Sequence, residues 1–211
     1  MNESRFKKKL IKLKKKNWVF TFVWSLWVIP VEHKDQWQVL SYRKIPSHQI
    51  QFSSSGMEIK VNKSASPVIY PVSPVRIIKG VQVTGQIEGG LNIPQGKTQG
   101  TQGADDFVFR LGLVVKGNKK LSWIQRQVAA DWVKQLFKLA PPDRGIEKIY
   151  FLNVVQQSSE KGKERIHPLS SLIEEKNVWE LAFNKEIKKQ SFSWEYLLPQ
   201  PLEIVALWIS S

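Results

Sequence analysis

The segment that decides the fold spans residues 104–157 and opens Ala104-Asp105-Asp106-Phe107-Val108-Phe109-Arg110-Leu111-Gly112-Leu113-Val114-Val115. Phe107, Phe109, Leu111, Leu113 and Val115 fall on every second position, the period of a strand with one buried face. Gly117-Asn118 breaks that pattern, and Ser122 followed by Gln125 has the spacing of a capping box. Ile124, Val128, Trp132 and Leu136 then recur at four-residue steps, with Val133 and Phe137 beside them, which predicts one long amphipathic helix over residues 122–140. Pro141-Pro142 ends it, because proline lacks the amide donor and clashes with the preceding turn. After Gly145, residues 146–155 are apolar on both faces, as in a strand central to a sheet.

Short strands precede this segment. Residues 37–42, 50–52 and 57–61 read as strands, with a turn at Ser53-Ser54-Ser55-Gly56. Residues 68–70, bounded by Pro67 and Pro71, read as an edge strand. Residues 75–87 alternate, with Val81, Val83, Gly85 and Ile87 on one side, and Gly80 suits a bulge. Residues 88–103, rich in glycine and glutamine and without an apolar period, read as a long mobile loop. Gly96-Lys97-Thr98 within it has the ending of a phosphate-binding loop, but Leu91 stands where that motif needs glycine and no helix signal follows.

After the central segment, residues 170–177 read as a short helix and 179–183 as a strand. Residues 194–198 lead into Pro199-Gln200-Pro201, and residues 204–209 form a nearly unbroken apolar run with the character of a buried strand. The sequence stops two residues later, which suggests a missing strand partner and self-association through an open sheet edge. So many short strands around one helix predict a mainly β protein, a jelly-roll-like β-sandwich with one long amphipathic helix packed on it.

The 211 residues suffice for one domain, expected at 37–211, behind a leader at 1–36. Half of the formal +14 charge lies in residues 1–16, where Arg5 and seven lysines face the single Glu3. Residues 18–31 are apolar apart from Thr21 and Ser25, so the leader has the order of an export signal without its cleavage site. As a helix that run covers roughly 21 Å, short of the roughly 30 Å hydrocarbon core, and the alternation of Trp18, Phe20, Phe22 and Trp24 also suits a strand. The expected location is exported or membrane-anchored, with the membrane as a partner through the leader.

With no cysteine, disulfide frameworks, zinc-thiolate sites and thiol nucleophiles are excluded. His33, His48 and His167 lie far apart, and none has a second ligand at helical or turn spacing, so no metal, cofactor or catalytic triad is read. Asp105-Asp106 precedes a strand whose polar face carries Arg110. The pair reads as a loop that caps backbone amides and pairs with Arg110, ahead of catalysis or calcium binding, with Arg165 and His167 as later residues that can join Asp105. Glu174-Glu175, read on a helix, point apart as solvated surface.

Lys63-Ser64-Ala65-Ser66-Pro67, the strand of residues 75–85, Asp105-Asp106 opening an apolar strand, and the late strand at 204–209 occur in one order. In that order the chain resembles domain-of-unknown-function family three thousand and forty-seven, uncharacterised and mostly exported bacterial proteins. The resemblance covers about residues 37–211 and implies a β-sandwich of carbohydrate-binding type with no established activity. Two features depart from the family: the helical segment between the paired strands, and the absence of an aspartate-rich turn after Ser210-Ser211.

The expected function is non-catalytic glycan binding by an envelope-associated protein. Trp179 and Trp194 are its candidate platform, and Asp105, Asp106, Arg110, Arg165 and His167 its polar candidates. The alternatives are a hydrolase of cell-wall glycan using Asp105, Asp106 or Glu174, and a polyanion or nucleic-acid binder using Lys161, Lys163, Arg165, Lys185, Lys188 and Lys189. Partners are then a glycan or another envelope component, with nucleic acid the less favoured.

Overall fold

A computed structural model describes residues 26–42, 44–168, 170–181 and 189–211. Nine strands are described: β1 (Gln38–Val39), β2 (Gln49–Ser53), β3 (Gly56–Lys60), β4 (Val68–Glu88), β5 (Phe109–Gly117), β6 (Gly145–Val155), β7 (Glu164–Ile166), β8 (Ile173–Glu180) and β9 (Lys189–Ser210). Two helices, α1 (Trp123–Val128) and α2 (Asp131–Lys138), lie between β5 and β6. Seven strands form one mixed sheet in the order β1-β4-β9-β5-β6-β8-β7, and β2-β3 is a separate hairpin. Among the described residues only β6 and β8 pair in parallel. The protein is therefore mainly β, as expected.

The expected single helix is two. The capping box forms as read: the Ser122 hydroxyl accepts the Gln125 amide at 3.2 Å, and the Gln125 side chain accepts the Ser122 amide at 2.9 Å. Yet the backbone turns extended at Ala129 and Ala130 before α2 begins. Alanine is the best helix former, so intrinsic propensity does not place this break. Its effect is on the apolar stripe. Leu136 is fully buried and Trp132 half-buried, whereas Ile124 stands in solvent.

Residues 68–70 and 75–87, expected as an edge strand and a separate strand, are one continuous β4. Residues 68–70 lie inside the sheet, with β1 and β9 on either side at Val68 and Ile69. The expected bulge at Gly80 is present as a register shift. Residues 173–177, expected as helix, are strand β8, because pairing with β6 and β7 on both edges overrides the weak local signal. Residues 204–209 are paired on both edges, to β4 and β5, so that strand lacks no partner.

The long strands β4 and β9 form an arm that folds back. Phe109, next to the Arg110 that pairs with Ser210, has its ring 5.9 Å from Phe192 of the same β9. A straight strand would hold Phe192 and Ser210 roughly 60 Å apart at about 3.3 Å per residue. The corner lies where Ile78 pairs with Leu202 but Gly80 pairs with Leu197, leaving the four residues Leu198, Pro199, Gln200 and Pro201 opposite Lys79. Proline has no amide for the ladder, which is why the strand turns there. The fold-back covers one sheet face with Phe192, Trp194 and Leu198 against Leu111, Leu113, Leu152 and Val154. The other face carries Ile69, Val114, Ile149, Phe151 and Trp208, with Leu136 of α2 packed against them.

Residues 26–36, expected in the leader, lie against this body. Trp27 and Ile29 pack on the first core, Arg76 stacks 4.6 Å from the Trp27 ring, and the Trp37 indole donates to the Pro30 carbonyl at 2.9 Å. Residues 1–25, with the basic run and the alternating aromatics, are outside the described residues. No helix among the described residues is long and apolar enough to cross a membrane.

Candidate functional site

Polar residues from four neighbouring strands build the centre of the site. Arg110 on β5 pairs with Asn153 on β6, and Asn153 with Asn177 on β8. One row away, Phe151 pairs with Glu175, and Glu175 with Arg165 on β7. Alternation puts all of these on the sheet face that also holds Trp208 and Ser210. The Glu175 side chain is 1% exposed and accepts from both guanidinium groups, one carboxylate oxygen for Arg110 and the other for Arg165. Arg110 also donates to Asn153 Oδ1 at 3.2 Å. Asn153 donates on to Asn177 at 3.2 Å, and Asn177 to the Glu160 carbonyl at 2.8 Å. The Phe107 ring lies under both cations, 4.9 Å from Arg110 and 5.6 Å from Arg165.

A cleft of about 400 Å³ opens above this network. Asp105, Asp106, Arg110 and His167 line it, with Tyr42, Trp132 and Trp208 as aromatic walls and His48 and Ser66 on the hairpin side. Burial pulls the Arg110 guanidinium below its usual range, opposed by Glu175. Burial also holds His167 below the usual imidazole range, again opposed by Glu175, and lowers His48. Tyr42 is raised by burial, with Arg110 opposing. The imidazoles are therefore neutral at pH 7 and able to accept a proton or a hydrogen bond.

The loop that carries the acidic pair is held by glutamines. Gln99 is buried; it donates to the Asp106 carbonyl at 3.0 Å and accepts the Gln156 and Gln157 amides at 2.7 and 3.2 Å. Gln157 accepts the Gln99 amide at 2.7 Å, and Gln156 exchanges two bonds with the backbone of Leu91. Residues 88–103, expected to be mobile, are thus clasped to the end of β6. Gly100, at φ +88, lies where a Cβ would meet the Arg165 guanidinium at 2.6 Å, so glycine lets the loop close over that cation.

Five sequence candidates come together here: Asp105, Asp106, Arg110 and His167 on the cleft, and Arg165 behind it through Glu175. Trp179 and Trp194 do not join them. Trp194 is 3% exposed in the fold-back core against Phe109, its indole N–H without a hydrogen-bond partner among the described residues. Trp179 is half-buried, with Lys161 5.5 Å from its ring. Glu174 is on the opposite face of β8 from Glu175, bound to Lys148 at 2.5 Å. In the polyanion set, Lys163, Arg165 and Lys189 pair with Glu160, Glu175 and Glu88. Lys185 and Lys188 are outside the described residues.

Glu175 is the residue sequence reasoning missed, because a strand of mixed polarity gives no period from which to read its inward side. Arg110, between Phe109 and Leu111, and Asn153, between Leu152 and Val154, carried the available signal. Among the described residues no group of three or more His, Asp or Glu side chains is placed to hold a metal ion. Comparison with protein-family models, with curated proteins and with solved structures finds no match for the chain.

Proposed function

We propose that the cleft above Arg110 binds a neutral glycan without cleaving it. The observation that carries this reading is the composition of the cleft: the exposed carboxylates Asp105 and Asp106 share it with Arg110, whose buried partner Glu175 also binds Arg165 behind, between aromatic walls. Two cations and three carboxylates leave little net charge, which suits an uncharged polyhydroxylated ligand better than a polyanion. Tyr42 and Trp132, both half-buried, give apolar surface to sugar rings, and the carboxylates accept from hydroxyls. Trp132 here takes the platform role first given to Trp179 and Trp194.

The same reading includes a jelly-roll-like sandwich, supported by the β4–β9 arm folding back across the sheet, and a place in the cell envelope, supported by the basic and apolar order of residues 1–25. Titration calorimetry against soluble neutral oligosaccharides, including N-acetylglucosamine and glucose oligomers, tests the binding. Saturable binding that weakens at least about tenfold in Trp132→Ala, roughly the loss of one ring-stacking contact, is the expected result. Binding indifferent to Trp132→Ala and to Asp105→Asn with Asp106→Asn, or release of reducing ends during incubation, would sink it.

A further inference from the structure

A second concave region, about 510 Å³, lies where α1, α2, the turn at 141–144 and residues 120–121 meet. Lys120, Arg126, Lys134, Lys138 and Arg144 line it above an apolar floor that includes Phe137, and no carboxylate does. Lys134 reaches Asp131 only at 3.9 Å, and Arg144 lies 3.2 Å from Asp143. Lys120, Arg126 and Lys138 have no ion-pair partner among the described residues. Beside these cations, at the start of α1, Trp123 is 75% and Ile124 69% exposed. The capping box fixes the turn that carries them, so both side chains are presented on a defined element.

An exposed indole and a β-branched alkyl group next to uncompensated cations match the chemistry of an anionic lipid surface. Indole partitions to the headgroup level, the alkyl side chain enters the acyl boundary, and each cation is drawn to the anionic headgroups. Single-stranded nucleic acid would use the cations and stack on Trp123, but it would leave Ile124 in water. We propose that the α1–α2 edge docks on anionic lipid, with Trp123 and Ile124 inserted at the interface. None of the residues lining this concave region lines the cleft over Arg110.

Because the chain has no cysteine, Ile124→Cys carrying an environment-sensitive fluorophore is a unique local reporter on the full chain. Phosphatidylglycerol vesicles should shift its emission to the blue and raise it several-fold, while phosphatidylcholine vesicles leave it unchanged. Replacing Lys120, Arg126 and Lys138 together by Gln should lower the partition coefficient read by the label about a hundredfold, from roughly fivefold per cation. Three results overturn the proposal. The protein sediments with the vesicles while the label stays in water; neutral and anionic vesicles act alike; or a single-stranded oligonucleotide shifts the label and vesicles do not.

Discussion

The cleft beside α1 is lined by five cations and the cleft over Arg110 by one, yet only the latter holds its own counter-charge. Arg110 and Arg165 share the buried Glu175, and the strands β5, β6, β8 and β7 hold all three in register. Lys120, Arg126 and Lys138 project from helix and loop with no such partner among the described residues. A charge withdrawn from water must be compensated inside the protein, whereas one left at the surface can await an external counter-ion. The group around Glu175 is therefore part of what keeps the domain folded, and the group beside α1 is free for a partner.

Breaking the internal group should have the largest effect. Glu175→Gln leaves two guanidinium groups facing one another without a carboxylate, and about 3–5 kcal/mol of stability should be lost. Chemical denaturation checks this, and a loss below about 1 kcal/mol would place the triad among the screened surface pairs. Next, Gln99→Ala strips the Gln156 and Gln157 amides and the Asp106 carbonyl of their partner. It should cost about 1–3 kcal/mol and open residues 88–103 to proteolysis, with the proposed glycan binding weakened through the displaced acidic pair.

A smaller effect separates the clefts by pH, since imidazoles line only the cleft over Arg110. Burial holds His48 and His167 below their ordinary value, so the unfolded chain takes up protons first as pH falls. The stability tied to the neutral rings is complete above about pH 6.5 and is lost as pH falls from there towards the depressed native values. Melting temperature should therefore decline from pH 7 to pH 5, more shallowly in His48→Gln. Parallel profiles for the parent, His48→Gln and His167→Gln would detach the imidazoles from the effect. The smallest effect belongs to the cleft beside α1: Lys120→Gln, Arg126→Gln and Lys138→Gln should each move stability by no more than about 0.5 kcal/mol. A larger loss in any of them would mean that the cation has an internal role after all.

Residue order alone was enough to read the β-rich class, strands β5 and β6, the capping box at Ser122 and the bulge at Gly80, because each rests on a short-range period or a local signal. It also named Asp105, Asp106, Arg110, Arg165 and His167, polar residues that stood out against their neighbours. Tertiary structure decided the rest. The strand identity of residues 173–177 and the clasping of residues 88–103 depend on partners distant in sequence, and the break at Ala129 and Ala130 runs against local preference. The fold-back at Pro199–Pro201 had its proline signal in plain view, but only the packing of Phe192 and Trp194 on Phe109 turned that corner into a covered core and took Trp194 out of any binding surface. Glu175 became the centre of the site for the same reason. In a strand, neighbouring residues face opposite ways, and pairing with β6 and β7 chose which of two adjacent glutamates faced inward.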